Sequence, residues 1–184
     1  MTFDRRAVLT ALALAPAAAR EAFAAPKLDP HNTVYLFTKH GKVVIELRPD
    51  LAPKTVAQIK TLVKQGFYNG LTFHRVIAGF MAQTGDPTGT GAGGSSLPNV
   101  PAEFTNTPFK RGTVGMARTN DPNSGNSQFF ICFADAPFLN GKYTVFGQVV
   151  SGMKVVDQIK KGAPGSGAVV DPDKIVKMEM ASAK

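Results

Sequence analysis

Residues 73–87, "FHRVIAGFMAQTGDP", set an arginine, a histidine and a glutamine among Phe73, Val76, Phe80 and Met81. The apolar members read as β-strand, but Arg75 and Gln83 do not suit a core, because an unpaired buried charge costs several kcal/mol or more. Either the segment lies at the surface or its polar groups face a site. Side chains alternate along a strand, so Met81 and Gln83 share a face. In "SQFFICF" (127–133), Gln128 and Phe130 share a face in the same way while Phe129 points to the other. Two strands thus each offer one amide and one large apolar group together, which favours a site over a core in which both glutamines would need internal partners.

Outward from this stretch the chain is rich in short strands. "TVYLFT" and "KVVIEL" flank "KHG" and read as a hairpin. The period then changes: Val56, Ile59 and Val63 recur at helical spacing, Pro53 suits a first helical turn and Gly66 suits the stop. "LTFHRVI", "GFMAQTG", "GTVGMAR", "SQFFICF" and "TVFGQVV" return to strand, separated by loops of Gly, Pro, Asn and Ser. "SGMKVVDQIKK" predicts a second helix with Met153, Val156 and Ile159 on one face, and "KIVKMEM" a closing strand. Eight strands and two helices predict a mainly β fold, an eight-stranded antiparallel closed β-barrel capped by the two helices.

The first 24 residues stand apart. Arg5 and Arg6 precede an apolar run from Ala7 to Ala19, and "AFA" at 22–24 is a small-x-small cleavage pattern, so residues 1–24 read as a secretory signal and 25–184 as one domain. The arginine pair resembles a twin-arginine export signal, although Asp4 stands where such signals usually carry Ser or Thr; general secretion is the other route. The run is short of the roughly 20 residues that span a bilayer, so no stable membrane insertion is expected. The expected location is periplasmic.

The chain carries a formal charge of +8, and the first 24 residues hold three arginines against two carboxylates, leaving +7. The lysines are scattered singly, with Lys160 and Lys161 the only adjacent two, so no basic stripe for nucleic acid emerges. Cys132 is alone, in "FFICF", and reads as a small buried hydrophobe. "GTGAGG" (89–94) satisfies a dinucleotide-loop spacing, yet "SSLPNVPAEF" follows with two prolines instead of a helix, so it reads as a flexible surface loop without a cofactor. His31, His40 and His74 lack companions at ligand spacing, so no metal is expected and His74 reads as a packed strand residue.

"FHRVIAGFMAQTGDPTGTGAGG", "GTVGMART", "NSGNSQFFI" and "FLNGKYTVFGQVVSGMKVVDQI", in that order, resemble the cyclophilin family of peptidyl-prolyl isomerases over roughly residues 32–180. The resemblance implies a barrel closed by two helices with an active groove on its outer surface. It assigns the catalytic arginine to Arg75 and the apolar proline pocket to Phe80, Met81, Phe130 and Leu139, with Phe138 on the rim. Gln83 and Gln128 correspond to glutamines that position the substrate backbone and the arginine. Ala117, Arg118 and Thr119 lie where the family lays main chain against the peptide, and at Arg118 the backbone is the firmer correspondence. Gly91 matches a glycine of the adjoining loop, where a side chain would obstruct the residues before proline.

Two positions depart from the well-known eukaryotic members: Phe138 replaces Trp and Tyr143 replaces His, as bacterial exported members tend to show. Phe lacks the indole N–H donor, so cyclosporin binding is expected to be weak at most. The implied partners are proline-containing polypeptides. Isomerisation breaks no bond and needs neither metal nor nucleotide. The other readings are a catalytically silent chaperone or scaffold, against which Arg75 argues, and a carrier barrel, which would need an enclosed cavity. One-domain length and the absence of a coiled-coil pattern make a monomer the expected state.

Overall fold

Alternating β-branched and aromatic residues dictate the first hairpin: β1 (Thr33–Thr38) pairs antiparallel with β2 (Gly41–Leu47), Thr38 opposite Gly41. The computed structural model describes residues 27–183; the signal expected over residues 1–24 lies outside them. Six further strands follow: β3 (Arg75–Ile77), β4 (Met81–Thr84), β5 (Thr113–Met116), β6 (Phe129–Cys132), β7 (Val145–Ser151) and β8 (Lys177–Met180). They form one antiparallel sheet in the order β3-β4-β6-β5-β7-β2-β1-β8.

The expected closed barrel is met as a curled sheet whose strand ladder stops at β3 and β8. The irregular segment 167–176 is laced to the β3 side and leads into β8. Val76 donates to the Gly167 carbonyl, Phe73 to Asp173 and Val169 to His74, while on the other side Val176 donates to Phe37. Together with Gly70 N–H to Ile175 and Ile175 N–H to Leu71, these bonds tie residues 70–74 to that segment, and the expected strand "LTFHRVI" is regular only over its last three residues.

Helix α1 (Pro53–Lys64) lays Val56, Ile59 and Leu62 against the inward strand residues Val34, Leu36, Ile45, Ala82 and Phe129, forming the main core. Its first residue is proline, and no side chain of its own caps it. The carboxylate of Glu103 does so from another loop, accepting from the Lys54 and Thr55 N–H groups at 2.9 and 2.8 Å. Phe67 N–H to Leu62 and Gly66 N–H to Val63 close the other end in a Schellman arrangement. Helix α2 (Met153–Asp157) is shorter than its eleven-residue pattern suggested. Beyond it the backbone is claimed elsewhere: Lys160 N–H donates to Asp173 and Gly162 N–H to Val76.

Asp173, 4% exposed, joins the β1–β2 turn to this region. Its carboxylate meets Lys39 Nζ at 2.6 Å, His40 Nε2 at 2.9 Å and the Lys160 N–H at 2.9 Å. Burial opposes its charge, but the Lys39 ammonium, the Lys160 N–H and His40 outweigh that and hold the carboxyl at about 2. A depressed carboxyl stabilises the fold fully above its unfolded-state value of about 3.9 and ceases to do so as pH falls towards about 2. Urea unfolding between neutral pH and this window should therefore show an acid limb that Asp173→Asn flattens; a limb unaltered by the substitution would contradict the assignment.

Candidate active site

The alternation read from sequence puts a second apolar cluster on the outer face of the sheet. On β6, Phe129 and Ile131 enter the main core, while Phe130 and Cys132 join Met81, Phe109, Ala136, Leu139 and Val145 on the opposite side. Pairing aligns the polar partners with them. Arg75 stands opposite Gln83 across β3–β4, and Gln83 opposite Phe130 across β4–β6.

Those registers create a one-way chain of donors. Arg75 Nη1 donates to Gln83 Oε1 at 3.2 Å, Gln83 Nε2 to Gln128 Oε1 at 2.9 Å, and Gln128 Nε2 to the Gly91 and Gly93 carbonyls at 3.0 and 2.8 Å. Arg75 Nε donates to the Ser166 carbonyl at 3.2 Å. A guanidinium has five N–H donors, so among the described residues three are left without a partner.

Beside Arg75 lies an open depression of about 380 Å³. Buried Met81, Phe130 and Leu139 line it, joined by half-buried Phe80 and Tyr143, and Phe138 stands at its margin, 58% exposed. Phe138 packs on Phe80 with ring centroids 5.2 Å apart, and Tyr143 meets Phe130 edge-on at 5.9 Å. A second depression of about 400 Å³ adjoins it, sharing Gln83, Ala117 and Arg118 and extending past Gly91, Thr119 and Gln128. The thirteen residues singled out in the sequence thus converge on one continuous groove.

Main chain is available along that groove. The Ala117 N–H is used by the Gln128 carbonyl at 3.0 Å. Among the described residues, neither the Ala117 carbonyl nor the Arg118 N–H and carbonyl takes a hydrogen bond. Unpaired groups beyond a strand end are a template on which an extended peptide can add.

Four contributors were missed in the sequence. Phe109 stacks on Phe130 at 5.8 Å with 21° between the rings, and Gly115 leaves room for both. A Cβ on Gly115 would come within 2.6 Å of Phe130 and 2.7 Å of Phe109. Asp86, 1% exposed, accepts from the Thr88 N–H and hydroxyl and from the Gly91 N–H, shaping the loop whose carbonyls hold Gln128. Burial opposes its charge, but the Thr88 donors and the loop amides hold its carboxyl at about 2. Asp ahead of "PTG" was a turn signal that would have revealed it. Ser166 contributes only a carbonyl, which no sequence pattern marks.

The "GTGAGG" loop is therefore anchored, not free. Gly91 is required there for its backbone, at φ +90°, more than for space, since a Cβ would meet His74 only at 3.7 Å. His74 is buried behind it, and burial lowers its pKa so that the imidazole is neutral near pH 7. Burial also pushes the Cys132 thiol up to about 12, leaving no thiolate. Among the described residues no group of three or more His, Cys, Asp or Glu side chains is placed to hold a metal ion, and no helix is long and apolar enough to cross a membrane.

The family model for cyclophilin type peptidyl-prolyl cis-trans isomerases matches residues 33–180. The chain belongs to the cyclophilins. It is 58% identical over 191 residues to a probable peptidyl-prolyl cis-trans isomerase of Brucella suis, covering 96% of each chain. It is 48% identical over 129 residues to the peptidyl-prolyl cis-trans isomerase of Helicobacter pylori, covering 68% of this chain and 78% of the relative. Among solved structures, a cyclophilin from Hirschia baltica superposes with TM-score 0.76 at 33% identity, over 85% of this chain and 76% of that one. A Cryptosporidium parvum cyclophilin crystallised in the presence of the dipeptide Ala-Pro gives 0.74 at 31% identity, over 80% and 98%. The enzyme is a peptidyl-prolyl cis-trans isomerase of the cyclophilin family.

Because Gly115 sets the height of the Phe130 ring, Gly115→Ala should destabilise the protein by about 1–3 kcal/mol through overpacking. Denaturant titration together with the ring resonances of Phe130 checks this; unchanged stability and unshifted resonances would contradict it.

Proposed function

We propose that this cyclophilin accelerates rotation about Xaa-Pro bonds of exported polypeptides by donating a hydrogen bond from Arg75 to the prolyl nitrogen while the proline ring sits against Phe80, Met81, Phe130 and Leu139. The observation that carries the reading is the donor chain itself: Gln83 and Gln128 hold Arg75 at the margin of a largely apolar depression with N–H groups to spare.

Rotation about an amide meets a barrier of ~18–20 kcal/mol because resonance stiffens the C–N bond. For Xaa-Pro the two end states differ by only about 0.5–1 kcal/mol, so the catalyst must lower the barrier without shifting the balance. In the twisted transition state the prolyl nitrogen becomes pyramidal and regains a lone pair. A donor aimed there binds that state more strongly than either planar one, which is the differential binding that raises the rate. The apolar surroundings strengthen the interaction by excluding water. Peptide main chain along Ala117, Arg118 and Thr119, with Gln83 at its side, confines rotation to one part of the substrate. Asp86 acts further back, shaping the loop that holds Gln128.

The signal read in residues 1–24 supports export, which makes the periplasm the working place and secreted chains the substrates of an enzyme acting as a monomer. Phe138 offers no N–H donor, which supports weak cyclosporin binding at most. A chaperone role without turnover is the second reading. The free donors of Arg75 favour catalysis, since holding a chain would need only the apolar groove.

Exchange NMR on an Ala-Pro or Gly-Pro peptide separates the two. Catalytic amounts of the enzyme should broaden or cross-connect the cis and trans resonances. Phe130→Ala should raise the peptide Kd by about tenfold or more, as truncation of a buried aromatic anchor does at a binding centre. Binding without enhanced exchange would establish the holding role.

A further inference from the structure

The side chain of Arg118 sits where the two depressions meet and is held there. Its guanidinium lies 4.5 Å from the Tyr143 ring centroid and 5.9 Å from that of Phe104. Nε and Nη2 donate to the Lys142 carbonyl at 3.1 and 2.8 Å, and Nη1 to the Thr119 carbonyl at 2.9 Å. These acceptors are neutral, so the charge is positioned without being compensated. Among the described residues two N–H donors, one on each terminal nitrogen, have no partner, and a guanidinium with both terminal nitrogens available can pair with a carboxylate.

The surroundings reinforce that sign. Among the described residues, Arg118 and Arg75 are the only charged ones lining either depression, and no carboxylate lines them. Asp86, the acid of the adjoining loop, is buried and its oxygens are already bonded to Thr88 and Gly91. A groove lined by one sign of charge concentrates the opposite sign and repels its own.

We infer that Arg118 makes this groove selective for acidic peptides, pairing with an Asp or Glu side chain within two residues on either side of the Xaa-Pro dipeptide and disfavouring Lys at the same place. The inference rests on the groove being the prolyl site, and it assigns to the Arg118 side chain a specificity that its backbone role does not require.

Peptides with a single Xaa-Pro bond, carrying Glu, Gln or Lys at each of the two positions on either side of that dipeptide, test it. Turnover by exchange NMR and Kd by shift titration are measured in wild type and Arg118→Gln. At low ionic strength at least one position should favour Glu over Gln by about fivefold, the upper end of what an exposed ion pair supplies. Lys should fall below Gln there, and high salt should shrink both ratios. In Arg118→Gln the Glu-to-Gln ratio should approach one, whatever the rate of that variant. If neutral peptides turn over but the scan is flat at low salt, or if the variant keeps the ratio, the inference fails and the isomerase reading stands. If no peptide turns over while the Kd ratio and its loss in the variant persist, the prolyl-site reading fails and the selectivity stands. Should Arg118→Gln not fold, the wild-type Glu-to-Lys ratio and its collapse in salt decide alone.

Discussion

The molecule's chemistry hangs on one constraint: the register of β3, β4 and β6, which sets Arg75 opposite Gln83 and Gln83 opposite Phe130. A slip of one residue would turn every side chain on the slipped strand to the other face. It would put Gln83 into the core and strand Arg75 without its acceptor. The inner-face residues Ala82, Phe129 and Ile131, packed in the main core, therefore hold the outer-face site in place. Stability and chemistry occupy alternate residues of the same strands.

The outer face of an antiparallel sheet ordinarily meets water, and here a second buried apolar cluster lies on it under the groove. Phe109 supports Phe130 from behind, Gly115 admits both rings, and the turn at Pro137–Leu139 delivers Leu139 and Phe138. The polar half of the site is anchored independently, through Asp86, its loop and Gln128. The guanidinium of Arg75 is held between these two halves, bonded to Gln83 and lining the apolar depression.

Much of this was legible in the sequence, because alternation is a local property. The pairs Met81 with Gln83 and Gln128 with Phe130 declared their common face, and the helical period of Val56, Ile59 and Val63 declared α1. What was not legible depends on contacts distant in sequence. The closed barrel became a curled sheet because residues 70–76 pair with an irregular segment about a hundred residues later. α2 did not run on through its full pattern because, past Gln158 and Ile159, the Lys160 and Gly162 N–H groups go to Asp173 and Val76. Phe109 escaped notice in a loop without period, and nothing local distinguishes Gly115, whose need arises from rings on other segments. The order and spacing of the family motifs carried the assignment of Arg75, which alternation alone could place on a face without naming its task.

The central claim is that Arg75 acts on the transition state and not on the bound peptide. The most direct measurement is the cis–trans exchange rate of an enzyme-bound Ala-Pro peptide alongside its Kd, in wild type and Arg75→Ala. The account requires the rate to fall by about 10²–10³-fold, the scale on which removing one preorganised donor acts, with the Kd changed by only a few-fold. An Arg75→Ala enzyme that loses binding and rate in equal measure, or keeps near-native exchange, would contradict it.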